Sequence, residues 1–416
     1  MCSAGAEGAE QGTDPARNAA LERFLQTQRV TAWLRTDYFQ SSNGLDGKEH
    51  LLGPTLQIKA LPHFGDFLDT KFEGRVTAPD VRGRSGYGPR SELLEGFATL
   101  HLSRIDVRVG KQIVAWGRAD GINPTDNLTP RDFLVLLPLE EDQRFGTWGL
   151  RLDAYVSHAM TVEVFATPSF RPDKFPLPTA GAAVEVLEPG HSLANTELGL
   201  KLNEVSDEID WSLSYFRGYS LLPTVATARP PVQLFYAREQ VLGADVARNF
   251  GRFGFRSEIA LTLPQDGASS DPNAGRHRLF WVSGVDRTFL DNLNLNLQLF
   301  LRWMPRRDEP TDLFDSTSRT ASQLNAIVGG QEAQTSPGLT FRVSKQWLND
   351  TLRLELLSLT NFRRADHYLR PLASYDLNDR MRISTGANLY GGPRDTQYGL
   401  LRRNNGVYAE FRYALW

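Results

Sequence analysis

The sequence predicts an all-β fold: a single transmembrane antiparallel β-barrel of about 18 strands, preceded by a short N-terminal periplasmic extension. Three observations lead there. Apolar and polar residues alternate with period 2 through most of the chain. The connections between the alternating segments are by turns short and long. No run approaches the ~18 apolar residues of a spanning helix, the longest apolar run being FLVLLPL at 133–139.

Residues 1–27 read differently from the rest. They carry neither a charged n-region nor an apolar h-region, so an exported chain would have shed its signal ahead of them. Cys2, the one cysteine, excludes an intrachain disulfide. Followed by Ser and Ala, it looks like the lipid-bearing residue of a bacterial lipoprotein behind an added Met, and is the candidate lipidation site. Asp14 and Pro15 suit an N-cap and a first helical position, and Leu21, Phe24 and Leu25 share one face. They predict one short amphipathic helix docked against, under or inside a barrel. The expected organisation is an extension over 1–27 and a barrel over 28–416. A formal charge of −3 and a pI near 6.2 lack the basic excess of a nucleic-acid binder.

From residue 28 onward a strand period takes over. The expected strands are 28–40, 54–61, 66–77, 91–102, 105–116, 146–157, 160–170, 194–205, 208–219, 236–249, 252–263, 277–289, 292–304, 336–347, 351–362, 366–377, 380–390 and 405–416. In TLQIKAL, Leu56 and Ile58 oppose Gln57 and Lys59; in DTKFEGRV, Phe72 and Val76 oppose Lys71, Glu73 and Arg75. In RIDVRVGKQI, Ile105, Val107 and Val109 oppose Asp106 and Arg108, and in TWGLRLDAYV, Trp148, Leu150 and Leu152 oppose Arg151 and Asp153. Because successive strand side chains point to opposite faces, each segment has one greasy and one polar side.

The short links are PHFGD, LSRI, SHAM, VSDEI, NFGR, FLDN, WLND and LNDR. Long ones fall at 41–53, 78–90, 117–145, 171–193, 220–235, 264–276, 305–335 and 391–404, with 363–365 the exception to strict alternation. Bacterial outer-membrane barrels have this pattern for a physical reason, since one end makes tight periplasmic turns and the other carries long external loops. A soluble sandwich has no cause to keep it.

DNLNLNLQLFLRWMP at 291–305 shows which face meets what. Its leucines share one parity and Asn292, Asn294, Asn296 and Gln298 the other. A closed barrel pairs all its backbone groups between strands, so the leucines can face hydrocarbon while the amides line a wet lumen. Aromatics are expected to form girdles at the two interfaces: Phe250, Phe289, Trp347 and Trp416 beside the short turns, and Tyr38, Phe170, Tyr219, Trp303 and Tyr390 near the long loops. The final GVYAEFRYALW resembles the C-terminal assembly signal of bacterial barrels, although Trp416 is off the parity of Phe411 and Tyr413.

VGKQIVAWG followed by GINPTD, within residues 108–145, resembles a largely uncharacterised family of Gram-negative outer-membrane barrels and, more distantly, alginate-export barrels and porins with a similar GRQ…G strand. The resemblance implies an outer-membrane location without naming a substrate. In porins the third external loop folds into the lumen and sets its width, so 117–145 is the candidate constriction. Arg118, Asp120, Asp126, Arg131 and Asp132 would supply its charges and Gly117, Gly121, Pro124 and Pro130 its turns.

By parity the lumen is lined by Arg108, Arg151, Asn294, Asn296, Gln298, Arg342, Arg353, Glu355 and Arg382, among roughly a dozen charges of each sign. Most are expected to be cross-strand pairs that hold the wall together. His101 and Ser103 are similar to a His-x-Ser pair of outer-membrane phospholipase, but His101 lies on the polar side and has no Asn orienter. HExxH, Walker and nucleophile-elbow motifs are missing, and DGINPTDN lacks calcium-loop spacing, so no enzyme, metal or cofactor site is expected. The expected function is a channel for a polar solute or a polysaccharide chain. The alternative is a structural outer-membrane part of a trans-envelope complex, with a periplasmic partner. The expected surroundings are outer-membrane lipid and lipopolysaccharide.

Overall fold

The computed structural model describes residues 27–45, 48–78, 90–133, 143–174, 184–227, 231–265, 271–290 and 292–415. Cys2, the helix expected over 14–25, Trp416 and most of FLVLLPL lie outside them. The wall strands are β1 Thr31–Leu45, β2 Lys48–Ala60, β3 Leu68–Thr77, β4 Arg90–His101, β5 Ile105–Gln112, β6 Thr147–Tyr155, β7 Met160–Thr167, β8 Glu197–Glu204 and β9 Asp210–Tyr219. They continue as β10 Arg238–Phe250, β11 Phe253–Pro264, β12 Arg278–Thr288, β13 Leu293–Trp303, β14 Thr335–Trp347, β15 Leu352–Asn361, β16 Asp366–Asn378, β17 Met381–Gly391 and β18 Gly406–Ala414. Each pairs antiparallel with its neighbours in sequence, and β1 pairs with β18 from Trp33↔Ala414 to Ser41↔Gly406. The sheet is 19-stranded if the two-residue segment His63–Phe64 is counted, and a closed ring of 18 without it. Closure removes the free edges that an open sheet would expose.

Burial is inverted relative to a water-soluble protein. On β13, Gln298 and Phe300 are 5% and 2% exposed, while the outward Leu297 and Leu299 are 43% and 49% exposed. The same holds around the ring, with Ile58, Val109, Leu150, Leu200, Leu213, Leu242, Val285, Ile383 and Val407 bare on the outside and Arg35, Glu95, Glu163, Glu258 and Glu410 buried inside. A continuous apolar exterior of this kind is stable only against hydrocarbon.

The strand ends depart furthest from expectation at two places. β1 and β2 stay paired as far as Leu45↔Lys48, so the predicted first long loop is the top of a tall hairpin. β5 ends at Gln112 rather than 116, because the next residues leave the wall for the lumen. Two predicted girdle aromatics are also elsewhere. Phe170 is buried among Tyr219 and Tyr236, and Tyr390 has the inward parity of Ser384 and stacks on Tyr368 and Tyr398. Phe250, Phe289, Trp303 and Trp347 are exposed on the outer face, as a girdle requires.

The long loops pack on one another at the mouth. A helix, α1 (Ser316–Gly329), starts where Asp315 accepts from the Ser318 N–H at 2.7 Å, and stops at Gly330 in the left-handed region. Its Val328 packs on Val225 and Leu234 of a small ribbon formed by 184–187, 224–226 and 232–235.

Candidate functional site

Beyond Gln112 the inward parity of β5 continues into Val114 and Trp116. The Ile113 N–H donates to Glu95 Oε1 (2.9 Å), and the Thr129 hydroxyl accepts from the Val114 N–H and donates to its carbonyl, both at 2.7 Å. Released from its sheet partners in this way, the third long loop runs across the inner faces of β7 to β14. Trp116 Nε1 donates to Glu163 on β7 at 2.8 Å. The Arg118 guanidinium pairs with Asp245 on β10 and donates to Asn203 on β8 at 2.7 Å. Asp120 meets Gln298 and Asn296 on β13 through 2.8–3.2 Å bonds and Arg342 on β14 at 3.5 Å. β14 lies halfway round the ring from β5.

Glu258, 1% exposed on β11, is the anchor. Its Oε1 accepts from the Thr125 N–H and hydroxyl (2.7 and 2.8 Å), and its Oε2 from the N–H groups of Arg118 and Ala119 (3.1 and 3.2 Å). Gly117 makes that cradle possible. It has φ +91°, and a Cβ there would stand 2.5–2.8 Å from the Glu258 carboxylate. Below the polar contacts, Val114, Trp116 and Leu128 pack on the wall residues Phe165, Phe216, Val241 and Ala260. The wall is thinned to receive them: a Cβ at Gly199 would lie 2.8 Å from Trp116 Cη2, and one at Gly243 2.5 Å from Thr125 Cγ2. Gly243→Val is therefore expected to lift the loop and speed proteolysis between residues 113 and 128 in detergent. Digestion as slow as that of the unmodified chain would contradict this packing.

The five predicted loop charges divide. Arg118 and Asp120 reach the wall strands at mid-height. Asp126 instead accepts from Arg131 (2.9 Å) and Arg144 (2.5 Å) at the base of the loop, and Asp132 pairs with Lys174 of the next external loop at 2.8 Å. Beside them, Asp173 accepts from the Arg131 N–H at 2.7 Å, and burial pushes its carboxyl up to about 6. Because its folded value lies above the unfolded one, ionising it costs stability above pH ~6, and that cost vanishes as the pH falls towards 4. The junction of the two loops should then resist proteolysis better at pH 5 than at pH 7.5; equal digestion rates would contradict it.

The predicted lumen residues all lie on the inward parity. Arg108 bonds Thr99 (2.9 Å) and stacks over Phe97, Arg151 bridges Asp153 (3.0 Å) and Glu163 (2.9 Å), and Asn294 donates to Thr288 (2.9 Å). Glu355 holds Arg353 (2.7 Å) and Arg370 (3.2 Å), and Asp376 holds Arg382. Charges of both signs are buried in the wall or under the loop, among them Glu163, Asp245, Glu258, Glu355, Glu410, Arg35, Arg75 and Arg370. Near the short turns the Arg353 and Arg382 side chains are 49% and 46% exposed, Arg382 beside an Asp376 that is 32% exposed.

The parity of its segment puts Glu258 among the lumen-side charges and Trp116 closes VGKQIVAWG, but nothing in the sequence gives either one a role. The available signal was an aromatic of inward parity just before a glycine, where the strand pattern breaks. His101 is occupied on both ring nitrogens, by Asp106 (2.9 Å) and Asp69 (3.0 Å).

Solved structures share this architecture. The chain is similar to Acinetobacter baumannii OccAB2 (10% identity, 93% of this chain and 97% of that one, TM-score 0.55). It is similar also to the outer membrane protein opdK of Pseudomonas aeruginosa (9%, 93% and 98%, 0.54) and to a BenF-like porin from Pseudomonas fluorescens Pf-5 (10%, 93% and 98%, 0.54). No curated protein sequence matches. Barrel closure, the apolar outer belt and this shared fold place the chain in the outer membrane. A family model described as "Protein of unknown function (DUF1302)" matches residues 78–388, three quarters of the chain, and the chain belongs to that family.

Proposed function

We propose that this barrel is a channel for a small polar solute, anionic by preference, and that residues 113–133 set its bore. The observation that carries the proposal is the third long loop lying across the inner faces of β7 to β14, held there by Glu258, Asp245 and Gln298. An 18-stranded barrel is wide enough for a water-filled pore, and a loop fixed on one half of its wall narrows that pore without sealing the other half. A polysaccharide chain, the other solute that the sequence suggests, would have to thread the remaining half.

Support for the preference for anions comes from exposure: Glu163, Asp245, Glu258, Glu355 and Glu410 are enclosed, while the guanidinium groups of Arg353 and Arg382 meet the solvent, the second beside the less exposed Asp376. In a planar bilayer the chain should conduct, and a KCl gradient should give a reversal potential of anion-selective sign. Arg353→Gln with Arg382→Gln should move that potential towards the cation side. A barrel that is electrically silent and co-purifies with a periplasmic partner would contradict the channel and favour the structural alternative. A cation-selective current would contradict only the charge preference.

A further inference from the structure

The turn that joins β15 to β16 and the long loop that joins β17 to β18 meet at the outer end of the wall and carry five exposed arginines: Arg363, Arg364, Arg394, Arg402 and Arg403. Both aspartates beside them are taken. Asp366 is wholly buried, its Oδ1 accepting from the Thr396 hydroxyl (2.6 Å) and from the N–H groups of Tyr398 and Gly399 (2.9 Å each), and its Oδ2 from the Asn361 amide (2.8 Å). Asp395 accepts two bonds from Arg364, at 2.7 and 3.0 Å. Together Asp366 and Asp395 hold the loop against the turn. Among the described residues, none accepts a hydrogen bond from, or forms an ion pair with, Arg363, Arg394, Arg402 or Arg403.

Just below, the outward parity of the same strands is bare and apolar at Phe362, Leu389 and Val407. The arginines therefore stand where the hydrocarbon belt gives way to headgroups, at the end that carries the long loops. Four like charges on a braced surface repel one another, and an anion that reaches several of them at once relieves that repulsion. The forked N–H donors of arginine match the oxygens of a phosphate. A solute in the pore meets the inner parity, whereas the apolar residues directly beneath these arginines belong to the outer one, which favours a partner lodged in the membrane. We propose that Arg363, Arg394, Arg402 and Arg403 form a docking surface for the phosphates of lipopolysaccharide, carried on the glucosamine headgroup of its lipid A, in the leaflet that the long loops face.

The test uses the full chain, purified in neutral detergent and mixed with equal amounts of bisphosphorylated lipid A and the same lipid stripped of both phosphates. Native mass spectrometry counts the lipids that stay bound. The bisphosphorylated form should be retained at least about fivefold over the stripped one at roughly 0.1 M salt, and the excess should collapse at about 1 M. Replacing Arg363, Arg394, Arg402 and Arg403 by Gln should abolish the preference. Arg252→Gln with Arg380→Gln, two exposed arginines on the short turns, should leave it intact. Equal retention of the two lipids by the unmodified chain would overturn the proposal. So would a preference that survives the fourfold substitution, with only the anion selectivity of the pore reduced, because the arginines would then serve the solute. A preference lost with the short-turn pair would overturn it too. Should the fourfold variant not fold, Arg402→Gln with Arg403→Gln and the salt series on the unmodified chain carry the same decision. Binding is read without any current, so an electrically silent barrel, which would contradict the channel, leaves this outcome readable.

Discussion

Glu258→Ala should raise the single-channel conductance about twofold or more, because the loop it releases covers half the wall of the bore. One carboxylate accepts two bonds from Thr125 and two from the backbone of Arg118 and Ala119. Its removal leaves four donors on the inner side of the loop without an acceptor, at a cost of roughly 1–3 kcal/mol for each that stays shielded from water. The lower-energy outcome is for residues 117–125 to leave the wall. Glu258→Gln should fall between the two, since one amide oxygen still accepts while the charge and the second acceptor are lost. Conductance and open-channel noise unchanged in Glu258→Ala would contradict the loop's role in setting the bore.

Glu410→Ala should be the most destabilising single change in the wall. Arg35 and Glu410 bridge β1 and β18, the seam that closes the ring, and each side chain is 2% exposed. Arg35 Nε donates to Glu410 Oε2 at 2.8 Å, and Arg412 approaches the other oxygen at 3.3 Å. Truncating the acid leaves two guanidinium groups facing each other at the seam, one of them enclosed, and breaking a buried pair from one side typically costs about 3–5 kcal/mol. Urea unfolding in detergent should show that loss, together with a smaller fraction of the compact, heat-modifiable band on gels. Arg35→Met combined with Glu410→Leu should recover much of it, because the double change removes the stranded charge along with its partner. A single variant as stable as the unmodified chain would show that the seam is held by backbone pairing alone.

The wall was legible in the sequence because its rule is local. A strand side chain has only two faces to choose from, and the leucines of 293–301 or the alternation of Ile58 with Lys59 declare that choice without any knowledge of distant residues. Strand order followed from the link lengths, since sequential antiparallel neighbours need no long-range pairing information. The loop was less legible. Its charges and glycines marked it as unusual, but the partners of Arg118 and Asp120 are more than 80 positions away, on β8, β10, β13 and β14. Asp126, Arg131 and Asp132 look equivalent to those two in the sequence, yet they bond locally or to the next loop. Counting signs does not reveal exposure either: burial, which depends on the whole ring, decides that Glu163 and Glu258 are enclosed while Arg353 and Arg382 are not. The inward turn of Tyr390 shows the same limit from the other side, because α2 (Gln397–Leu401) brings Tyr398 back to stack on it.

The most direct test is spin labelling of neighbouring positions in a Cys2→Ser background reconstituted in lipid. Nitroxides replacing Leu297 and Ile383 should collide with dissolved oxygen and be shielded from a water-soluble nickel chelate. Nitroxides replacing Arg353 and Arg382 should show the reverse. Leu297 and Ile383 labels as open to the nickel chelate as those at the two arginine positions would mean that water bathes both faces, and the barrel would not be a membrane-spanning wall.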